Sequence, residues 1–145
     1  MKPRHFLGRL DHDRIVQAIR AAEVRSRGEV RVHVTHQAVR DVERAAAAQF
    51  EKLGMTATAE RSGVLVFVAP SSQRFAVVGD KGIHERCGEG FWKEVASAME
   101  DDFRAGRFTD GIVKGVARAS DALAEHFPRA GGADLNELPD EVSED

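Results

Sequence analysis

A small α/β domain built on a mixed sheet is the fold class that the sequence predicts, and three observations predict it. "EVRVHVTH" alternates apolar with polar residues, "GVLVFVAP" is apolar throughout its strand, and the alanine-rich "VRDVERAAAAQFEKLGM" between them has helical spacing. Strand, helix and strand in that order make a parallel crossover. Only "SSQR" then precedes "FAVVGD", too short a connection for a crossover helix, so the third strand returns antiparallel in a hairpin.

Each element has its own local reason. In "LDHDRIVQAIRAAEVRSRGE", Leu10, Ile15, Ala18, Ile19 and Ala22 recur at helical spacing, with Asp11 or Asp13 to cap the start and Gly28 after the end. The first strand places Val30, Val32 and Val34 on one face and Glu29, Arg31, His33 and Thr35 on the other, the pattern of a half-covered strand near a sheet edge. The second helix carries Val42, Ala45, Ala46, Phe50 and Leu53 as its apolar stripe, and Gly54 stops it. Val64 to Val68 read as a central strand buried on both faces, which Pro70 ends. Two helices follow: one from Gly88 with Phe91, Trp92, Val95, Ala96, Met99 and Phe103 on its stripe, and one from Thr109, the expected N-cap. Four helices are expected in all, with "KGIHERCGEG" as the loop between the third strand and the third helix.

Length and composition bound the function. The 145 residues suit one domain, and a net charge of -3 with 31% charged residues argues against nucleic acid or lipid headgroups as partners. The charge is uneven: residues after Pro128 hold one Arg against six acids, a net of -5, which leaves +2 for the rest. That acidic tail, residues 128–145, has no aromatic residue and is expected to stay outside the fold. Cys87 is the single cysteine, so no intramolecular disulfide forms, and a small packed residue at a helix start is its expected role. The N-terminus has no continuous apolar core of a signal peptide, and no run reaches membrane-spanning length, so a cytoplasmic address without membrane insertion is expected.

The topology brings the start of strand one, the start of strand two and the end of strand three to one edge of the sheet. Glu29, Arg61, Ser62 and Asp80 converge there, with His84, Glu85 and Glu89 in the adjoining segment. Two readings of this edge stand side by side. Carboxylates of Glu29, Asp80 and Glu85, with carbonyls of a glycine-rich loop, supply the oxygen donors that calcium or magnesium needs, while Arg61, Ser62 and His84 are binding residues beside them. Alternatively Asp80 caps a turn, Glu29 pairs with Arg61, His84 is an ordinary loop residue, and the glycines only permit positive φ.

Other chemistry is a poor match. Neither G-x-G-x-x-G nor G-x-x-x-x-G-K-[ST] occurs, so no nucleotide or organic cofactor is expected, and "HERCG" lacks the second His of a zinc protease helix. Ser71 and Ser72 lie at the sheet end opposite His84, out of reach of a Ser-His pair. His33 and His36 fall on opposite strand faces and are read as surface or packing residues.

"RSGVLVFVAP", "FAVVGDKGIHERCGEGFW" and "FRAGRFTDGIVKGV", with "LDHDRI" and "RGEVRV" upstream, resemble in order the segments of the TPM domain family, sometimes labelled TPM phosphatases, and especially its short soluble bacterial branch. The resemblance spans residues 6–127, which makes them a single TPM-like domain. It implies a three-layer α/β/α sandwich, Rossmann-like in outline, with a divalent-cation site at a sheet edge, usually calcium. It also implies photosystem repair, weak acid phosphatase activity or assembly of membrane complexes, according to the member. Many relatives carry an acid or an acid pair just before the "GVL" strand, where this chain has Arg61 and Ser62. Many also have a signal peptide and a membrane helix, neither of which is expected here from the apolar patterning. The expectation is a binding or assembly module without catalysis, cation-dependent, acting on a protein partner or a membrane-associated complex. The alternative is a weak metal-dependent acid phosphatase for phosphomonoesters, with Asp80 as metal ligand or base and Arg61, Lys81 and Arg86 supplying charge.

Overall fold

The computed structural model describes residues 1–129 and 142–145. The elements run α1 (Pro3–Gly8), α2 (His12–Arg25), β1 (Glu29–Val34), α3 (Val42–Lys52), β2 (Gly63–Ala69), β3 (Arg74–Gly79), α4 (Lys81–Cys87), α5 (Glu89–Arg104), α6 (Phe108–His126) and β4 (Ser143–Glu144). The sheet order is β3-β2-β1-β4. β1 is parallel to β2, with Glu29 opposite Gly63 and Val34 opposite Val68, while β3 returns antiparallel with Gly79 opposite Val64. The mixed sheet and its hairpin are as the sequence predicts.

All seven residues of β2 are buried, so both faces need a cover. Val64, Val66 and Val68, beside Val30, Val32 and Val34, join a cluster with Ile15 and Ile19 of α2, Val95 and Met99 of α5, and Ile112 and Val116 of α6. Leu65, Phe67 and Ala69 turn the other way, onto Ala46 and Phe50 of α3 and Met55. Each fully buried aliphatic side chain contributes about 1.5–3 kcal/mol, which outweighs any local propensity here.

Six helices are found where four are expected. The two extra ones, α1 and α4, have six and seven residues, too few to show an apolar period, and each contains a glycine. "KGIHERC" is therefore helix, with Gly88 (φ 79°) at the joint before α5, and Cys87 sits at a helix end instead of a start. Asp11 caps α2 through the Arg14 N–H. Thr109 is not a cap: α6 begins after Arg107, and the Thr109 hydroxyl accepts from the Asp11 N–H at 3.0 Å, tying α2 to α6.

The polar face of β1 is covered as well. Glu29, His33 and Thr35 are all buried, and β4 pairs parallel with β1, Ser143 opposite His33 and Glu144 opposite Val34. The expectation that the acidic segment stays outside the fold falls mostly on undescribed residues, yet residues 143 and 144 lie in the sheet. Short-range pattern reading missed them because two residues carry no period and their partner strand is more than a hundred positions away.

The turn between α5 and α6 hangs on a buried acid. Asp102 accepts from Arg107 Nε at 3.0 Å and pairs with Lys114 Nζ at 2.8 Å, while its carbonyl takes the Arg107 N–H. Lys114, then Arg107, hold its carboxyl below the usual carboxylate range against the opposing effect of burial. A depressed folded pKa means that this contribution is complete above the unfolded value of about 4 and is lost as pH falls through the folded one. Asp102→Asn is expected to be less stable than the wild type in urea unfolding at neutral pH, with the gap closing as the pH falls below the ordinary carboxylate range. A gap independent of pH would remove the ionic role.

Candidate functional site

β1 and β2 start, and β3 ends, at one edge of the sheet. Glu29 is opposite Gly63, and the Asp80 N–H donates to the Gly63 carbonyl at 2.8 Å, so three elements meet on one glycine. Asp80 is the N-cap of α4: its Oδ1 accepts from the Lys81 N–H at 2.7 Å, and its carbonyl takes the His84 N–H.

Arg61 is the second partner of that carboxylate. Its Nε donates to Asp80 Oδ2 at 2.7 Å and its Nη2 to Oδ1 at 2.8 Å, a bidentate fork. The Asp80 side chain is 5% exposed and that of Arg61 47%, so the guanidinium covers the acid from the solvent side. Asp80 in turn raises the Arg61 pKa through the hydrogen bond and its charge. Arg61 has φ 53°, a left-handed conformation uncommon for a residue with a Cβ, and the turn around it is held by Thr58. The Thr58 carbonyl accepts from the Arg61 N–H, and its hydroxyl from the Ser62 N–H at 3.0 Å.

Gly82 completes the joint. Its N–H donates to the Arg61 carbonyl at 2.9 Å, and a Cβ there would lie 2.2 Å from the Glu60 carbonyl oxygen. Glu60 itself pairs with Arg27, whose hydrogen bond holds the Glu60 carboxyl below its ordinary pKa. Thr58, Glu60 and Gly82 were not singled out from the sequence. The available signal was the aspartate directly before "KGIHERC", an N-cap ahead of a short helix hidden by its glycine.

The predicted residues thus separate into two groups. Glu29, Arg61, Ser62 and Asp80 gather at the edge, with Glu29 and Ser62 buried. His84 is half-buried on α4, and Glu85 and Glu89 are exposed. Among the described residues no group of three His, Cys, Asp or Glu side chains is placed to hold a metal ion. At this edge the Arg61 guanidinium engages both Asp80 oxygens, and the neutral Ser62 is buried. Cys87 is no better as a nucleophile, since burial, and then Glu125, push its thiol pKa up. A cavity of about 540 Å³ lies at the opposite end of the sheet, lined in part by Phe6, Arg74, Phe75, Phe103 and Phe108. It shares no residue with the Asp80 edge.

A mixed four-stranded α/β domain whose sheet edge is closed by an acid-arginine pair is the class that these features define. The TPM domain family matches residues 1–122, and the chain belongs to that family. The NMR structure of the BA42 protein from the psychrophilic bacterium Bizionia argentinensis is 36% identical, with a TM-score of 0.83 over 94% of this chain and 96% of that one. The N-terminal domain of a protein from P. gingivalis, also solved by NMR, is 20% identical with a TM-score of 0.60 over 79% and 76%, and shares the fold. No curated protein matches the chain. Among the described residues no helix is long and apolar enough to cross a membrane.

Two substitutions test the joint. Gly82→Ala is expected to lower stability by roughly 2 kcal/mol or more, because the added methyl meets backbone. Gly90→Ala, in open space within α5, is expected to be neutral or stabilising by about 0.5–1 kcal/mol. Equal denaturation midpoints for the two variants would refute the close approach. In a double-mutant cycle, Arg61→Ala and Asp80→Ala together should cost less than the sum of the single changes, and strict additivity would show that the pair is not coupled.

Proposed function

We propose that this TPM domain is a binding or assembly module without catalysis, in which the Arg61 guanidinium takes the place of a divalent cation at Asp80. The observation that supports this reading is the bidentate pair itself. A cation approaching Asp80 has to displace a fixed positive charge that already satisfies both oxygens, and the only cysteine is held as a thiol. A metal phosphatase needs an activated water or nucleophile and an open coordination position, and Asp80 offers neither while it is paired.

Three finer points belong to the same proposal. The two separate core clusters favour a three-layer α/β/α arrangement, with α3 on one sheet face and α2, α5 and α6 on the other. A protein partner, alone or within a membrane-associated complex, fits a domain whose sheet edge is built for rigidity. A cytoplasmic address fits the single unpaired Cys87.

The reading is tested by calorimetric titration of calcium and then magnesium, beside a phosphomonoester turnover assay with p-nitrophenyl phosphate. No saturable heat and no metal-dependent turnover are expected of the wild type, whereas Arg61→Asp, which restores an acid beside Asp80, is expected to gain cation binding. Saturable binding by the wild type together with turnover lost in Asp80→Ala would overturn the proposal in favour of the phosphatase.

A further inference from the structure

The outer edge of β1 ends in a set of polar groups, the Thr35 hydroxyl and the His36 N–H among them, that an acidic strand satisfies. Residues 143–145 of the chain itself demonstrate the fit. Ser143 and Glu144 continue the sheet parallel to His33 and Val34. Ser143 Oγ lies 2.9 Å from His33 Nδ1 and 3.3 Å from the Val32 carbonyl oxygen. Glu144 Oε2 meets His36 Nε2 at 2.8 Å. The Asp145 carboxylate takes the His36 N–H on Oδ1 at 2.8 Å and the Thr35 hydroxyl on Oδ2 at 2.9 Å, with His33 Nε2 3.5 Å away. His33 is buried and stacks on Phe67 at 5.9 Å, so its ring is rigidly placed by the core.

We propose that this edge, at Val32 to His36, is a docking site for an extended acidic peptide of a protein partner, which residues 143–145 fill in competition with it. The proposal deepens the binding-module reading and rests on it. Strand addition to a sheet edge derives its affinity from the main chain and its specificity from alternate side chains, here a small hydroxyl followed by two acids. Three features make the resident segment replaceable. Among the described residues, Ser143 and Glu144 pair with two of the six β1 residues, and a strand that pairs with more of them gains ladder bonds. The Glu144 and His36 side chains are 54% and 41% exposed, and solvent-exposed polar contacts of this kind are weak. The charge also matches, because the chain is +2 up to Pro128 and -5 beyond it. A segment tethered to the same chain competes at an effective concentration on the order of millimolar, which sets the barrier that a partner has to overcome.

The test uses the full chain and a fluorescein-labelled octapeptide of residues 138–145, LPDEVSED, followed by fluorescence anisotropy. E144K/D145K, whose own segment no longer fits, is expected to bind the peptide at least about 10-fold more tightly than the wild type. Adding His36→Ala should weaken that binding several-fold, and the charge-reversed peptide LPKKVSKK should not bind. Equal binding of the acidic peptide by both chains, or binding of the reversed peptide, would overturn the proposal. A concentration-dependent wild-type dimer abolished by E144K/D145K would replace the partner with a second copy of this chain. Calcium heat and phosphomonoester turnover address the module reading separately, so loss of peptide binding without turnover removes only this edge.

Discussion

A strand buried on both faces is the constraint on which the rest of this structure depends. Every residue of β2 is out of contact with water, so its main-chain groups need a neighbour on each side and its side chains a cover above and below. β1 and β3 supply the neighbours. The apolar stripes of α2, α5 and α6 meet Val64, Val66 and Val68, and that of α3 meets Leu65, Phe67 and Ala69. Pleat alternation along β2 therefore divides its side chains between two core clusters.

The same strand explains why the candidate site sits where it does. Gly63 opens β2, and its carbonyl takes the Asp80 N–H as β3 ends, which places an acid at the sheet edge with its main chain already committed. The carboxylate then serves a local need, the first N–H of α4, and a longer-range one, the Arg61 fork. A charge-assisted bidentate pair on an almost buried acid is a strong, directional contact. Arg61 reaches it from a left-handed backbone conformation, so the turn before β2 is shaped around this pair. An acid so engaged is a structural fastening of the sheet edge.

β1 shows how far a local pattern carries. Its alternation identifies Val30, Val32 and Val34 as one face, and these three residues are buried against the helices. The same alternation reads Glu29, His33 and Thr35 as a wet face, yet they are buried too. The cover on His33 and Thr35 comes from residues 143–145: Ser143 Oγ lies against His33 Nδ1, and the Asp145 carboxylate accepts from the Thr35 hydroxyl and the His36 N–H. Polar residues on a strand thus mark a face that needs hydrogen-bond partners, and water is only one source of them.

By itself the sequence determined the strand order in the hairpin, the parallel crossover, the four long helices and the edge at which Glu29, Arg61, Ser62 and Asp80 meet, because periodicity, loop length and parity are short-range properties of the chain. It did not determine that Arg61 pairs with Asp80, that "KGIHERC" is a helix, that Thr109 serves α2, or that residues 143–145 complete the polar side of β1. Each of those depends on groups distant in sequence or on elements too short to carry a period. Only tertiary packing decides which donor reaches a buried acceptor first.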